Sequence, residues 1–136
     1  MDIKEPAPNP EKSPYVLLGG EPIVRLLVDH FYDQMDADPD FFWIRKLHPP
    51  SLTGSRDKLF MFLSGWLGGP ALYVNEFGHP RLRARHMPFA IGEPERDQWL
   101  ACMNRAMEKV GIEAGMRAHL AASFTNTADW MRNRDG

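Results

Sequence analysis

One twelve-residue stretch concentrates side chains that can bind metals and anions. Residues 78–89 (GHPRLRARHMPF) contain two histidines, three arginines and two prolines. Pro80 suits the first turn of a helix, where a missing N–H costs nothing, and Pro88 cannot continue one. The stretch therefore predicts a short helix that begins at Pro80 and carries His86 in its last turn. Leu82 lies one turn earlier on the same face, and its apolar side chain is expected to be buried. We therefore expect His86 to point inward too.

An inward histidine on a rigid helix has two interpretations. Most histidines bind no metal, so His86 is read most simply as a core residue whose ring is satisfied by a backbone carbonyl. In a helical chain rich in aromatic residues, however, a rigid histidine is what an axial haem ligand requires. One ring nitrogen would face iron while an acceptor holds the other, and the backbone carbonyl near Leu82 is suitably placed for this. The residues alone leave both interpretations open.

Three further side chains carry polar tips on or beside apolar stripes, namely Tyr32, His48 and Trp99. Each could be a large core residue whose tip is hydrogen-bonded. Together they could line a cavity and direct O–H and N–H groups at a ligand on iron, where they would stabilise partial negative charge. Arg85 could belong to a solvated basic face or could pair with a haem propionate, since a guanidinium favours paired contacts to a carboxylate.

The other candidates have simpler interpretations. His79 precedes Pro80 and is expected to be a capping or surface residue. His119 falls within a helical stripe and is expected to be packed, while Cys102 is expected to be an inert, partly buried thiol. The sequence offers neither a glycine-rich phosphate loop nor a cysteine-based metal pattern.

Apolar periodicity places these side chains on helices and predicts an all-α fold. Apolar residues recur with a period of 3.6 in four segments, which begin near residue 21, near residue 53 or 55, near residue 93 and near residue 113. A single helical turn is predicted at 15–18, and Gly68-Gly69-Pro70 is a strong helix stop signal. The pattern indicates several medium helices arranged around one short helix.

The remaining segments show no sustained period. Residues 40–50 hold an aromatic cluster and two prolines, and residues 71–78 are expected to form a loop. Residues 1–14 contain four prolines and are expected to form a flexible tail. One domain is therefore predicted over residues 15–136.

Composition limits the classes of function. The chain has 136 residues, of which 43% are hydrophobic and 25% charged, as expected for a soluble domain with a core. A net charge of −2 argues against binding to nucleic acid or anionic membranes, which basic proteins favour. No segment approaches the roughly 18 apolar residues of a membrane span, and no signal peptide is evident. One cysteine fits a reducing compartment, so we expect a cytoplasmic protein.

Several segments resemble the group II, or O-type, truncated haemoglobins, which belong to the bacterial-like globins. They are Phe31-Tyr32 and residues 62–70, 78–89 and 95–103, and the resemblance extends over about residues 15–131. It implies a two-on-two helical sandwich around haem b. In this family His86 matches the proximal iron ligand, Tyr32 the distal tyrosine and Trp99 a typical distal tryptophan.

The resemblance also implies the walls of the haem site. Ser55, Leu59 and Phe31 fall on the distal side, whereas Arg85 and Lys58 match positions that can reach the propionates. The residues expected to pack around the porphyrin are Phe62, Trp66, Phe89 and Met103. His48 stands where many members carry tyrosine, so a phenol donor is replaced by a group that can donate, accept or carry charge. If the loop before it is mobile, Tyr32 or His48 is a candidate sixth ligand of ferric iron.

The resemblance implies reversible binding of oxygen, nitric oxide and carbon monoxide at iron opposite His86. An alternative is a redox enzyme that converts nitric oxide to nitrate, or uses peroxide, at the same haem. Because the sequence contains no flavin or nicotinamide domain, such an enzyme would draw electrons from an unidentified reductase. A third hypothesis is a haem-free helical interaction domain, against which the inward His86 and the neighbouring arginines argue.

Overall fold

A computed structural model describes residues 13–87, 89 and 91–132, with the backbone alone at residues 83, 85 and 130. Helices and connections make up this part of the chain, which contains no strand. The elements in chain order are α1 (Pro14–Leu18), α2 (Glu21–Ala37), a 3₁₀ turn (Pro39–Phe41), α3 (Phe42–Arg45), α4 (Thr53–Trp66), α5 (Leu72–Phe77), α6 (Leu82–His86), α7 (Glu93–Val110) and α8 (Ala114–Trp130). The predicted all-α class is confirmed.

Four long helices build the core as two packed pairs. Helix α2 packs against α4, α7 packs against α8, and α2 also packs against α7 and so joins the pairs. The largest fully buried side chains lie where these helices meet; they include Leu27, Phe31, Met35, Leu63, Met103, Met107 and Leu120. None of the described helices is long and apolar enough to cross a membrane.

The long helices begin and end where their local residues predict. Helix α2 carries a proline in its first turn and ends just before Pro39. Helix α7 begins after Gly92, whose N–H donates to the Glu95 carboxylate over 2.8 Å. It ends at Gly111, whose φ of 85° is a left-handed conformation that glycine adopts without strain. The predicted starts near residues 21, 93 and 113 are thus confirmed to within one residue, and of the two starts offered for α4 the structure has Thr53.

Two local predictions are wrong, and one segment without a prediction is helical. Residues Leu72–Phe77 form helix α5 and not the predicted loop, and residues 39–45, whose sequence shows no sustained period, form two helical turns. Helix α6 begins at Leu82 and not at Pro80, because Arg81 takes a left-handed backbone conformation with a φ of 49°. The Arg81 N–H donates to His79 Nδ1 over 3.0 Å, so His79 does act as a local cap, as expected.

The glycine pair at residues 68–69 holds α1 against the end of α4. The Tyr15 N–H donates to the Leu67 carbonyl over 2.9 Å, and the Tyr15 ring lies directly over Gly69. A Cβ atom on Gly69 would stand 2.4 Å from Tyr15 Cδ1, far inside van der Waals contact. Glycine is therefore required here for close approach. Residues 1–12 of the predicted tail lie outside the described residues.

We expect Gly69→Ala to lower the free energy of unfolding by about 1–3 kcal/mol, because the added methyl group forces the Tyr15 ring out of its place. Urea unfolding followed by circular dichroism measures this change. Gly54→Ala is the matched control, since nothing lies within 4 Å of a Cβ atom at Gly54. Equal free energies of unfolding in the two variants would show that packing of the Tyr15 ring does not require a residue without a Cβ atom at position 69.

Candidate functional site

A cavity of about 430 Å³ opens between the two helix pairs. This volume falls within the roughly 300–1,000 Å³ that is usual for ligand and cofactor sites. Its walls come from helices α2 to α8 and from the segment around His48. Most of the lining is apolar or aromatic and includes Ile44, Leu47, Leu59, Phe62, Leu63, Trp66, Phe89, Ile91 and Phe124. The cavity therefore suits a large, mostly apolar ligand.

His86 occupies the last position of α6 and lines this cavity together with Leu82. Its Nδ1 atom lies 2.7 Å from the Leu82 carbonyl oxygen, one turn earlier on the helix. A carbonyl oxygen only accepts, so Nδ1 donates its proton to Leu82, which leaves Nε2 as the ring atom that could ligate a metal. The inward orientation and the carbonyl partner are both confirmed. This is the tautomer that a metal-ligating histidine needs.

Tyr32 and His48 lie side by side on another wall of the cavity. Their ring centroids are 5.7 Å apart at an interplanar angle of 79°. Burial raises the pKa of the Tyr32 phenol well above its usual value. The Arg56 guanidinium opposes this shift with a smaller effect. The phenol therefore keeps its proton near neutral pH and remains a hydrogen-bond donor.

His48 is held in the same way as His86. Its Nδ1 atom lies 2.7 Å from the Ile44 carbonyl oxygen. Burial lowers the pKa of His48, the hydrogen bond to Ile44 opposes this shift, and the positive charge of Arg45 lowers the pKa further. At neutral pH the ring is therefore uncharged and its lone pair resides on Nε2.

A row of aromatic rings supports Trp99. Phe31 packs edge-on against Tyr32 at 5.0 Å and lies 5.3 Å from Trp99. On its other side Trp99 meets Phe124 at 5.4 Å, and Phe124 stacks on Trp66 at 4.7 Å. Rings in contact on both sides fix the indole where it lines the cavity.

The cavity brings together ten of the predicted site residues: Tyr32, His48, Ser55, Lys58, Leu59, Phe62, Trp66, His86, Phe89 and Trp99. Phe31 and Met103 are buried in the core and do not line it; Phe31 instead backs Tyr32 and Trp99. The Arg85 side chain lies outside the described residues. Cys102 is fully buried, and burial raises the pKa of its thiol to about 12, which fits the predicted inert thiol.

Sequence reasoning missed several cavity residues. Tyr73 was missed because it lies on α5, which was expected to be a loop. Phe124 and Thr127 belong to an apolar face of α8 that was read as core alone. Arg96 lies at the cavity wall and its guanidinium donates to the Asp129 carboxylate over 2.9 Å. The prediction of a packed His119 is wrong, because its side chain is exposed.

A model of the bacterial-like globin family matches residues 13–133 of the sequence. The chain belongs to the bacterial-like globin family. A group 2 truncated haemoglobin of Bacillus subtilis is 41% identical over 122 residues, which cover 90% of this chain and 89% of that protein. This globin accordingly has the two-on-two helical fold, with α2 and α4 as one pair and α7 and α8 as the other.

Two solved structures share this fold. A cold-adapted truncated haemoglobin from the Antarctic bacterium Pseudoalteromonas haloplanktis is 43% identical, with a TM-score of 0.88 over 90% of this chain and 99% of that one. A group II two-on-two haemoglobin from Agrobacterium tumefaciens is 38% identical, with a TM-score of 0.87 over the whole of both chains. Membership of the globin family implies a haem site. The residues present fit one, since the Leu82 carbonyl accepts from Nδ1 of the inward His86 and most of the cavity lining is apolar.

The buried His48 predicts a specific pH dependence of stability. Its pKa is lowered in the folded chain, so the unfolded chain binds a proton more readily as the pH falls below about 6.5. The free energy of unfolding should therefore decrease from pH 7.5 to pH 5.5. The decrease should be smaller in His48→Phe than in the parent. Urea unfolding at the two pH values measures both slopes. If the free energy of unfolding decreases more in His48→Phe than in the parent, His48 is not the source of this pH dependence.

Proposed function

We propose that this globin binds haem b and uses it to bind oxygen and other diatomic ligands reversibly. His86 is the proposed proximal iron ligand, and Tyr32, His48 and Trp99 form the proposed distal side. One observation carries the proposal: the Leu82 carbonyl holds His86 in the ligating tautomer, facing the same cavity as those three side chains.

The proximal role of His86 follows from how α6 holds the ring. The hydrogen bond to Leu82 fixes both the tautomer and the ring plane, and it makes Nε2 a stronger donor to iron. Because donor and acceptor lie on a single helical turn, the ring is in place before any ligand arrives. Bound haem supplies an iron centre with an open position for a diatomic gas.

The walls of the cavity would hold the porphyrin and exclude water. Leu59 and Phe62 from α4 offer apolar surface to the ring. Lys58 lies at the cavity wall, with its ammonium group 5.8 Å above the Phe77 ring, and is a proposed partner of a propionate. Arg85 is proposed as a second propionate partner because it matches the family position.

The distal side chains would stabilise a ligand that gains negative charge. The Tyr32 phenol and the Trp99 indole N–H are donors, and burial keeps the phenol protonated. Neutral His48 adds an acceptor at Nε2, adjacent to the Tyr32 ring. Donors arranged before the ligand binds stabilise charge with little reorganisation.

The same distal donors support a second candidate function. A site with several donors would also polarise peroxide or hold oxygen for reaction with nitric oxide, as a redox enzyme requires. Such a cycle needs electrons from a separate reductase. The single cysteine, kept as a free thiol, supports a cytoplasmic location for either function.

An oxygen equilibrium measurement on the haem-loaded, reduced protein tests the proposal. We expect a reversible spectral change on cycling between air and nitrogen, with competition by carbon monoxide. Irreversible oxidation in the first cycle, together with catalytic consumption of nitric oxide when a reductant is supplied, would favour the enzyme. Failure to bind either gas, with no turnover of nitric oxide or peroxide when a reductant is supplied, would overturn both candidates.

A further inference from the structure

The turn that carries His48 is held by the side chain of Arg45, the last residue of α3. All three nitrogens of the Arg45 guanidinium donate hydrogen bonds. Nε donates to the Asp36 carboxylate over 2.8 Å, and the two terminal nitrogens donate to the Pro49 and Pro50 carbonyls over 3.0 and 2.8 Å. One guanidinium therefore ties the end of α2 to the connection that follows His48.

This set of contacts requires an arginine. A guanidinium is a planar fork of N–H donors, whereas a lysine ammonium is a compact point charge that cannot span three separate acceptors in this way. Asp36 is the only charged acceptor of the three, and 59% of its side chain is exposed, so this ion pair alone contributes little. The contacts with the two proline carbonyls are thus the ones that fix the path of the chain after His48.

A second side chain fixes the start of the same turn. Gln98 lies on α7, directly before Trp99. Its side-chain oxygen accepts from the N–H groups of Trp43 and Ile44 over 2.9 and 3.3 Å. Both N–H groups lie in the first turn of α3, where a helix offers them no partner. The Ile44 carbonyl in turn accepts from His48 Nδ1 over 2.7 Å, so Gln98 holds the residue that orients the ring.

We propose that Arg45 and Gln98 are positioning residues of the distal side, which together hold the His48 ring in one orientation at the wall of the haem cavity. Neither residue lines that cavity, so each acts through His48. Gln98 also couples the α3 turn to the helix that carries Trp99 and thereby sets these two distal side chains relative to each other. The inference rests on the proposed distal role of His48.

A positioning role differs from a purely structural role in its dependence on the His48 ring. Loss of a structural contact acts on a bound ligand equally whether or not the ring is present. Loss of a positioning contact acts through the ring, so its effect must disappear in a His48→Phe background. A double-mutant cycle with His48→Phe therefore separates the two roles.

Four substitutions, each made in the parent and in the His48→Phe background, form the cycle. Arg45→Met removes the guanidinium, and Gln98→Met removes the acceptor oxygen with little change in length. Gln98→Glu keeps an oxygen at the same place and is the conservative rescue. Arg25→Met is the matched control, because the Arg25 guanidinium also joins two helices by donating to the Asp57 carboxylate over 3.0 Å, and Arg25 does not line the cavity.

The measurement is the infrared C–O stretching band of the haem-loaded, reduced chain with carbon monoxide bound, because this band responds to the polar groups around the gas. We expect Arg45→Met and Gln98→Met to shift the band or to add a second one, since a released ring populates more than one position. These changes should be absent in the His48→Phe background. Gln98→Glu and Arg25→Met should cause no change that depends on His48, and any effect of an altered charge alone appears equally in both backgrounds.

Equal band positions for each methionine substitution in the two backgrounds, with carbon monoxide bound normally, would overturn the positioning role and leave the proposed function intact. Each of the two methionine substitutions tests the proposal by itself, so failure of one variant to fold leaves the other decisive. A parent chain that forms no carbon monoxide complex after haem is supplied would overturn the proposed function, and the positioning role with it.

Discussion

Replacing His86 with glycine is expected to abolish stable haem binding, with the largest effect of any single substitution in this chain. The ring is the proposed covalent link to iron, and its tautomer is already set by the Leu82 carbonyl at 2.7 Å. Loss of a hydrogen bond to a ligating group costs about 10- to 100-fold in metal affinity, so loss of the ligand itself should cost at least about 100-fold. Titration of the haem-free chain with haem, followed at the Soret band, measures this change.

Two controls separate ligation from folding in that experiment. His119→Ala removes an exposed histidine that does not line the haem cavity and should bind haem as the parent does. Added imidazole should restore a histidine-like spectrum to His86→Gly by filling the space left by the ring. Parent-like haem affinity in His86→Gly, without imidazole, would show that another group ligates the iron.

Replacing Trp99 with phenylalanine is expected to speed oxygen dissociation by about tenfold to a hundredfold. A hydrogen bond to a charged group contributes roughly 1.5–3 kcal/mol, and about 1.4 kcal/mol corresponds to a factor of ten in rate. Phenylalanine keeps a ring between Phe31 and Phe124, which lie 5.3 and 5.4 Å from Trp99, and removes only the indole N–H and some volume. Stopped-flow displacement of oxygen by carbon monoxide measures the rate.

Trp43→Phe is the matched control for Trp99→Phe. Trp43 lies on α3, is 43% exposed and does not line the haem cavity. Its replacement should leave oxygen dissociation unchanged. Equal dissociation rates in Trp99→Phe and the parent would remove the indole from the distal hydrogen-bond network and leave that role to Tyr32 and His48.

Much of this fold follows from local signals in the sequence. The helices α2, α4, α7 and α8 carry long apolar stripes with proline, glycine or acidic residues at their ends. The apolar periodicity and the helix start and stop residues therefore indicate the same bounds. The inward His86 could be predicted because Leu82 and His86 lie one helical turn apart and Leu82 needs the core. Its carbonyl partner could be predicted for the same reason.

Other features depend on contacts that no local pattern reveals. The turns at residues 39–45 are completed by Gln98 of α7, whose side-chain oxygen accepts from the N–H groups of Trp43 and Ile44 at 2.9 and 3.3 Å. Helix α5 has only six residues, too few for a periodic signal to stand out. An apolar residue on a buried helix face can pack in the core or line a cavity. Only the tertiary structure shows that Met103 lies in the core and that Phe124 lines the cavity.

The proposed function requires that His86 ligates haem iron, with a gas-binding site opposite. A visible absorption spectrum of the purified, haem-supplied protein tests it most directly, in the ferric and ferrous states and with carbon monoxide. We expect a Soret band in every state and a shift of that band when carbon monoxide binds the ferrous protein. Absence of a Soret band after haem is supplied would contradict it.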